Sequence, residues 1–466
     1  VQSYSCEPYQ HYMIIYGEKQ AIKIDWRNIS LVRYRKHRLP DAVNRVLLNN
    51  LDLGWQHIRS SAVNVAAFST KKAVPYRGMK TLIERFYQSI ASSSEPPVPR
   101  TLIMDTELTS DRIYEEIPKK HLDFSSRQSS HDSRHPKEKV LVTGASGQVG
   151  KTTVRQLLEK GYHVRAFVRK LSYIADLENM GVEIVFGDIR HYPSFKEAAA
   201  GMDYIVHLAA ALGVPAIDYF DITVGGVNNL IRIVTEESIK KVIYMSSMSV
   251  YDVTDCNSGA VLKEGHPYER RPMERGPYTA SKLKAEKLVT HELSNTDTSW
   301  TILRPSMIIG PSSNLFLKPI GVQLGKRFRI VFGLGFDKLR LVPVEDVANA
   351  ILLCMESTTS RGKIYNVNHS EQMSKRKYLK MISEISNQKG FNLYVPHSAM
   401  KFIIYLQEKV FEKFKRNPVL TRYRYDTAQK NVYFDSSTIK NDLGWNPSQS
   451  IFDYLSENHP KDSQSR

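Results

Sequence analysis

Tyr278 and Lys282 are the residues whose types and spacing best support proton transfer. They begin and end the segment Tyr-Thr-Ala-Ser-Lys, within a stretch from Pro277 to Thr290 that has helical periodicity. A spacing of four places both side chains on one helix face. A free phenol with a pKa of about 10 is a poor base at neutral pH, but a neighbouring ammonium favours the phenolate. The pair predicts an acid/base that removes or returns a hydroxyl proton.

A third group is needed to orient the substrate oxygen. Ser246 and Ser247 follow the apolar run Val242–Met245 and are the candidates. Because Tyr-x-x-x-Lys also occurs by chance in many helices, a structural role for the pair is the alternative.

The segment Lys139–Gly150 is typical of a dinucleotide site, since it combines a buried strand, a glycine turn and a helix start. Gly144, Gly147 and Gly150 permit the sharp turn, close approach of a pyrophosphate and packing of helix on strand, and the helix N-terminus offers N–H groups to phosphates. An ordinary surface loop is the alternative. A nicotinamide bound here could exchange a hydride with the carbon whose hydroxyl proton Tyr278 handles.

The ends of the next two strands bear on cofactor choice. An NAD site usually has an acid after the second strand to bind the ribose 2′-hydroxyl, whereas a positive charge suits a 2′-phosphate. Arg169 therefore favours NADP over NAD, unless Arg169 and Lys170 only solvate the strand end. Asp188 and Ile189 follow the third strand and are candidates for holding the adenine ring, with a solvated loop as the alternative.

A parallel sheet is the element that would bring these residues together. From Val140 onward, apolar runs of strand length alternate with helical patterns, which predicts an α/β fold with helices on both faces. It is expected to be a Rossmann-type doubly wound parallel sheet with a smaller C-terminal substrate region. The predicted strands are Val140–Thr143, His163–Val168, Glu183–Gly187, Tyr204–Leu208, Val242–Ser246 and Thr301–Arg304.

The chain is expected to have two folded parts. Residues 1–117 are predicted to form an α+β domain, 118–138 a polar linker, 139–455 the NAD(P)-binding domain and 456–466 a polar tail. The elements predicted in the first part are strands at Tyr12–Tyr16 and Ala21–Asp25, helices at Tyr76–Tyr87 and Ser110–Ile117, and a loop at Ser92–Pro99.

The residue composition, net charge and cysteine content of the chain limit the classes of function that are expected. The chain has 466 residues, of which 41% are hydrophobic and 24% charged, as in soluble globular proteins. Its net charge of +17 admits an anionic partner, but no nucleic-acid module is recognisable and none is expected as partner. Three distant cysteines indicate neither a disulfide framework nor a metal site, and a cytoplasmic location is expected. The start at Val1 is typical of a fragment or a processed product.

Two features of the sequence bear on membrane association. No apolar run reaches the roughly 18 residues needed to cross a bilayer. The segment Ser398–Lys415 is predicted to be an amphipathic, basic helix. It either packs on its own domain or rests on a membrane and admits a lipidic substrate.

The motifs of residues 139–455 together resemble the extended short-chain dehydrogenase/reductase superfamily, the NAD-dependent epimerase/dehydratase group. The matching segments, in family order, are Thr143–Gly150, Gly187–Ile189, His207–Ala210, Ser246–Tyr251, Tyr278–Lys282, Leu303–Pro305, Val344–Ala348 and Asp442–Pro447. The resemblance implies that Ser247 is the catalytic serine, Tyr278 the acid/base and Lys282 the ribose-binding lysine. With the residues argued above, the expected cofactor contacts are Gly144, Ser146, Gly147, Gln148, Val149, Gly150, Arg169, Asp188, Ile189, Leu208, Ala209, Ala210, Tyr278, Lys282 and Pro305.

Three positions depart from the family pattern. Met248-Ser249 stands where sugar-nucleotide dehydratases have Asp-Glu, so dehydration is not expected. Met307 replaces a frequent asparagine, which weakens the case for a diphosphate sugar. Thr223 replaces a helix asparagine, which alters a proton relay or a helix bend unless the hydroxyl supplies the hydrogen bond.

The leading hypothesis is an NAD(P)-dependent oxidoreductase that interconverts a secondary alcohol and a ketone by Ser-Tyr-Lys catalysis. The late segment, with Pro396, Asn417–Thr421 and Asp442–Pro447, resembles hydroxysteroid dehydrogenases and ketone reductases more than sugar epimerases. The expected substrate is a sugar nucleotide, or a sterol-like or aromatic ketone or alcohol. The alternatives are a nucleotide-sugar epimerase with tightly bound NAD, and a non-catalytic cofactor-binding regulatory or scaffold protein.

Residues 1–117 resemble the C-terminal half of the glucose-fructose oxidoreductase and inositol dehydrogenase family. The similarity lies in Tyr16–Asp25, the helix Gly78–Tyr87 and Pro96–Pro99. It implies a truncated oxidoreductase half with a structural or dimerising role, a homodimer and a carbohydrate context. An unrelated α+β domain is the alternative.

Overall fold

In the computed structural model the described residues are 12–16, 20–25, 30–35, 49–69, 77–92, 94, 98 and 137–458, the last range without 171, 312, 325–327, 387–389, 414–417 and 419. The chain divides into two compact units, residues 1–123 and 124–466. The predicted helix at 110–117, most of the loop at 92–99 and nearly all of the linker lie outside the described residues. The predicted domain boundaries therefore stay a prediction.

The described residues of the first unit form an antiparallel sheet and two helices. Its strands, in sheet order, are β1 (Tyr12–Tyr16), β2 (Gln20–Asp25) and β3 (Ser30–Arg35), and its helices are α1 (Asn49–Ser69) and α2 (Arg77–Ala91). The strands β1 and β2 and the helix α2 were predicted. The sequence reasoning missed β3 and α1. Arginines interrupt the apolar pattern of β3, and α1 leaves Trp55, Ile58 and Val63 exposed, so neither has one clean apolar face.

A seven-stranded parallel sheet is the centre of the second unit. Its strands are β4 (Lys137–Thr143), β5 (Tyr162–Val168), β6 (Glu183–Phe186), β7 (Tyr204–His207), β8 (Lys241–Met245), β9 (Ser299–Pro305) and β10 (Lys363–Val367). They lie in the order β6-β5-β4-β7-β8-β9-β10, with all neighbours parallel. The strand order reverses between β4 and β7, which opens a crevice at their carboxyl ends. The doubly wound fold is confirmed, whereas β10 was not predicted.

Helices cover both faces of the sheet. They are α3 (Gln148–Glu159), α4 (Ala175–Asn179), α5 (Tyr192–Ala199), α6 (Asp218–Phe220), α7 (Gly226–Glu236), α8 (Pro272–Arg275), α9 (Pro277–Leu293) and α10 (Val344–Glu356). Alternate residues of β4 point to opposite faces. Val140 and Val142 join the core under α3 and α10, whereas Leu141 joins the core under α7 and α9.

The C-terminal substrate region adds short strands and five helices. The strand pairs are Ala260–Leu262 with Val432–Phe434, Met307–Ile309 with Leu341–Pro343, and Lys338–Leu339 with Met373–Ser374, and a three-stranded sheet joins Gly321–Leu324, Phe328–Phe332 and Phe391–Val395. The helices are α11 (Lys375–Ile385), α12 (His397–Lys413), α13 (Arg422–Gln429), α14 (Ser437–Leu443) and α15 (Ile451–Asn458). The amphipathic helix predicted from Ser398 is α12. None of the described helices combines the length and apolar character needed to cross a bilayer.

Candidate active site

A cleft of about 830 Å³ lies where the strands of the large sheet end. The turns after β4, β5, β6, β7, β8 and β9 all contribute to its lining. Every residue predicted for cofactor binding or catalysis lines this one cleft, although Gly144 and Pro305 are 161 positions apart in the sequence. The parallel sheet therefore brings the predicted site together.

The glycine turn fits a pyrophosphate because it has no side chains where the backbone is crowded. Gly144 has a φ of +69°, and a Cβ there would lie 2.9 Å from the Ala209 nitrogen. A Cβ on Gly150 would lie 2.2 Å from the Gly144 carbonyl oxygen, so glycine is required for α3 to pack on β4. Gly147 is the N-cap of α3 and lines the cleft. The N-terminal N–H groups of α3 can thus approach phosphate oxygens.

Four charged residues lie near the cofactor half of the cleft, which is the part lined by the glycine turn and by the turns after β5, β6 and β7. Arg190, which the sequence reasoning missed, pairs with Asp188 at 2.7 Å and with Asp221 at 3.1 Å. The hydrogen bonds from Arg190 are the largest influence on Asp188 and hold its pKa below the usual value, and the charge of Arg169 adds to this. Arg169 itself is exposed at the end of β5 and lines the cleft. The sequence offered one signal for Arg190, its position two residues after a predicted acid.

The two candidate serines have different surroundings. Ser246 is 2% exposed, and its hydroxyl donates to the buried carboxylate of Glu286. Glu286 also pairs with Arg304 and accepts a hydrogen bond from the Tyr268 hydroxyl at 2.9 Å. Ser247 instead accepts a hydrogen bond from the Ser249 nitrogen at 3.1 Å, and it lines the cleft together with Tyr278. The geometry favours Ser247 as the partner of Tyr278.

Tyr278 and Lys282 lie one turn apart on α9, as their spacing predicts. Burial lowers the pKa of Lys282 to about 8, against the opposing charge of Glu286. Its Nζ donates to the Met245 carbonyl oxygen at 2.6 Å. Burial raises the pKa of Tyr278, and the side chain of Ser247 opposes this rise. That the Lys282 ammonium favours the phenolate of Tyr278 stays a prediction.

Thr223 forms the hydrogen bond that the sequence left open. It lies in a π-helical turn, Asp221–Gly225, just before α7, and is 1% exposed. Its hydroxyl oxygen accepts from the Ala211 nitrogen at 3.1 Å. Since Ala209 and Ala210 line the cofactor half, Thr223 anchors the segment that borders the cofactor.

A second part of the cleft, which we call the substrate half, is mainly apolar but contains two arginines. It is lined by the apolar residues Met248, Val253, Met307, Pro319, Val432 and Phe434. Arg275 from α8 and Arg340 from the loop after Leu339 also line it, and neither was predicted. Arg340 lies 62 positions from Tyr278 in the sequence, and no local pattern connects the two.

Comparison with known proteins agrees with this arrangement. A 2-alkyl-3-oxoalkanoate reductase from Shewanella oneidensis is 29% identical over 337 residues, which cover 67% of this chain and 83% of that protein. Sterol demethylase protein B from Methylococcus capsulatus is 28% identical over 318 residues, which cover 66% of this chain and 93% of that protein. A solved UDP-glucuronic acid 4-epimerase from Bacillus cereus in complex with NAD shares the fold, with a TM-score of 0.54 and 20% identity over 68% of this chain and 96% of that one.

A family model identifies the same region. Residues 140–368 match the model of the NAD dependent epimerase/dehydratase family. This range contains the glycine turn, Ser247, Tyr278, Lys282 and Pro305. Together with the parallel sheet and the cleft, the match shows that residues 140–368 form a domain of the NAD dependent epimerase/dehydratase family, of the extended short-chain dehydrogenase/reductase type, and that this domain is an NAD(P)-dependent enzyme.

Proposed function

We propose that this enzyme interconverts a secondary alcohol and a ketone, with Ser247, Tyr278 and Lys282 as its catalytic residues. The observation that carries the proposal is that Ser247, Tyr278 and Lys282, the last two one helical turn apart, line the same cleft as the glycine turn. A nicotinamide bound in that half supplies the hydride acceptor for oxidation or the hydride donor for reduction.

Each residue has a separate task in this proposal. The Ser247 hydroxyl holds the substrate oxygen next to the phenol of Tyr278. In oxidation, the Tyr278 oxygen takes the hydroxyl proton while the carbinol carbon loses its hydride and the carbonyl double bond forms. In reduction, Tyr278 returns the proton to the oxygen as the carbon gains the hydride. Lys282 is held by the Met245 carbonyl, and its remaining N–H groups would donate to the nicotinamide ribose.

We propose NADP as the preferred cofactor. Arg169 is exposed where β5 ends and lines the cleft, as a residue that binds a 2′-phosphate should. The neighbouring carboxylate, Asp188, already pairs with Arg190, so it does not neutralise Arg169 through an ion pair. NAD is the alternative and remains the cofactor of the Bacillus cereus epimerase complex.

An oxidoreductase fits the cleft better than a nucleotide-sugar epimerase does. The substrate half is lined by methionine, valine, proline and phenylalanine side chains, including Met307 at the position of the frequent asparagine. Relatives named as a 2-alkyl-3-oxoalkanoate reductase and a sterol demethylase protein support a ketone or alcohol with a large apolar part. The epimerase and the non-catalytic scaffold protein remain the competing functions.

We further propose that α12 makes a peripheral membrane contact. Phe402, Leu406 and Val410 repeat every four residues along this helix and are 61%, 48% and 53% exposed. Lys401 and Lys409 lie on the same helix, where they pair with Asp426 and Glu412 at 2.8 Å, and the chain as a whole carries a charge of +17. A basic helix with an exposed apolar stripe suits an anionic lipid surface.

The homodimer and the cytoplasmic location stay predictions.

The nicotinamide absorbance tests the proposed function. The purified chain is mixed with NADP or NAD and with sterol-like, aromatic and aliphatic alcohols, and separately with sugar nucleotides. A net absorbance change with an alcohol supports the oxidoreductase, whereas sugar product without net change supports the epimerase. Tyr278→Phe should abolish turnover and leave cofactor affinity nearly intact. Unchanged turnover in this variant would contradict the catalytic assignment, and a lack of turnover with all substrates would favour the scaffold protein.

A further inference from the structure

The substrate half of the cleft contains two arginines, and only one of them has a carboxylate partner. Arg275, three residues before Tyr278, pairs at 3.1 Å with Glu269, whose side chain is fully buried. Arg340 donates only to backbone carbonyl oxygens, those of Lys430 at 2.6 Å and Ala428 at 3.3 Å. Across the described ranges, no carboxylate oxygen lies within 4.0 Å of an Arg340 nitrogen. Among the described residues, Arg340 is thus the arginine of the substrate half that has no carboxylate partner.

The acid near Arg340 is already engaged elsewhere. Asp337, three residues earlier, pairs with Lys375 at 3.0 Å and with His397 at 3.1 Å. Burial, with a further contribution from the charge of Arg275 and against the opposing charge of Asp337, lowers the pKa of Arg340 to about 10, so the guanidinium still carries its proton at neutral pH. A half-buried cation without a direct ion-pair partner is costly, and an anion that enters the cleft would reduce that cost.

Arg340 also lies near the reacting end of the cleft. Its carbonyl oxygen accepts a hydrogen bond at 3.0 Å from the nitrogen of Met307, which is two residues after the cofactor-lining Pro305. A guanidinium has five N–H donors. One N–H of Nη1 and one of Nη2 are used by the carbonyls of residues 430 and 428, which leaves three for a ligand.

We propose that Arg340 binds the carboxylate of the substrate, which makes the substrate class a hydroxy acid or keto acid with an apolar remainder. This inference rests on the proposed alcohol and ketone chemistry. One carboxylate balances one uncompensated guanidinium, and the planar fork of arginine matches the two carboxylate oxygens. The apolar residues that surround it, Met248, Val253, Val432 and Phe434, suit a hydrocarbon remainder.

The test compares an acid with its neutral ester. Oxidation of 3-hydroxydecanoate and of its methyl ester is measured with NADP for the unaltered chain, Arg340→Met and Arg340→Lys. Arg376→Met is the matched control, because Arg376 also donates to a backbone carbonyl, that of Leu334 at 2.8 Å, but does not line the cleft. Loss of charge-assisted hydrogen bonds should raise KM for the acid at least about tenfold in Arg340→Met, with partial recovery in Arg340→Lys. KM for the ester should not change.

Two outcomes overturn the carboxylate site while leaving the proposed reaction intact. Arg340→Met could change KM for acid and ester equally, which would show that Arg340 only holds the end of α13. The unaltered chain could also prefer the ester. In either case the alcohol is still oxidised, so the proposed function survives.

A binding measurement covers the case in which neither compound is oxidised. Decanoate is titrated calorimetrically into Tyr278→Phe and into Tyr278→Phe/Arg340→Met, both with NADP present, and UDP-glucose is titrated in parallel. Decanoate affinity that falls at least about tenfold without Arg340 supports the carboxylate site even if the proposed reaction fails. Equal decanoate affinity in both variants, or a loss of affinity confined to UDP-glucose, overturns it.

Discussion

Lys282 has a buried ammonium whose charge is sensitive to pH near neutrality. Burial lowers its pKa to about 8, and its remaining N–H donors are expected to bind the nicotinamide ribose. The ammonium is therefore present below that pH and lost as the pH rises through it. We expect the affinity for NADPH to fall above a pH of about 8. A fluorescence titration of NADPH across this range measures it.

Lys282→Arg is the control for this pH dependence. A guanidinium stays protonated at every pH used, so the variant should bind NADPH with a flat pH profile, although more weakly. Constant affinity in the unaltered chain on both sides of pH 8 would contradict the role given to the ammonium.

Arg169 should decide the choice between the two nicotinamide cofactors. In Arg169→Asp, the 2′-phosphate loses a charge-assisted contact and meets a carboxylate instead, while the ribose 2′-hydroxyl gains an acceptor. We expect KM for NADP to rise by about 10- to 100-fold and KM for NAD to fall. Lys170→Asp is the matched control, because Lys170 is the exposed neighbour that does not line the cleft. Equal effects of both substitutions would mean that only general surface charge matters.

At the level of elements, α9 is joined to the sheet by a buried ion pair. Glu286 on α9 and Arg304 on β9 are 0% and 1% exposed, and Ser246 and Tyr268 complete the hydrogen bonding of the carboxylate. Because α9 carries Tyr278 and Lys282, this pair positions the catalytic helix against β8 and β9.

Glu286→Gln should destabilise the chain strongly, because it leaves the buried Arg304 charge without a carboxylate. We expect the free energy of unfolding to fall by about 3–5 kcal/mol, measured by urea denaturation. Glu292→Gln, at an exposed position of the same helix, should change it by less than about 0.5 kcal/mol. A loss in Glu286→Gln as small as that of the control would show that α9 does not depend on the pair.

The seventh strand shows why sequence patterns missed part of the sheet. β10 begins with Lys363 and contains Asn366, which is 0% exposed. The side chain of Asn366 accepts from the Tyr251 hydroxyl at 2.6 Å and donates to the carbonyl oxygens of Leu262 and Asp435. A buried polar residue with these partners is stable in a strand, but the partners come from distant segments and leave no mark on the local apolar pattern.

For the whole molecule, the exposed stripe of α12 and the net positive charge predict binding to anionic lipid. We expect the chain to float with phosphatidylserine-containing vesicles and to remain behind with neutral ones, because both apolar burial and charge attraction contribute. Phe402→Ser/Leu406→Ser should lose flotation. Phe452→Ser is the control, since Phe452 is an exposed aromatic residue, at 46%, on α15. Failure of the unaltered chain to float with either vesicle would remove the membrane proposal.

The sequence by itself determined the fold class, the glycine turn and the Tyr-Lys pair, because these depend on local backbone geometry and on spacings within one strand or helix. All the residues it predicted for cofactor binding line the cleft, but other lining residues, among them Arg190, were not predicted. Only the tertiary structure showed that Ser246 is buried against Glu286, showed the effect of burial on the pKa of Lys282, and brought Arg340 and Arg275 into one cleft. These features depend on burial and on contacts between residues far apart in the chain, which side-chain type and spacing do not record.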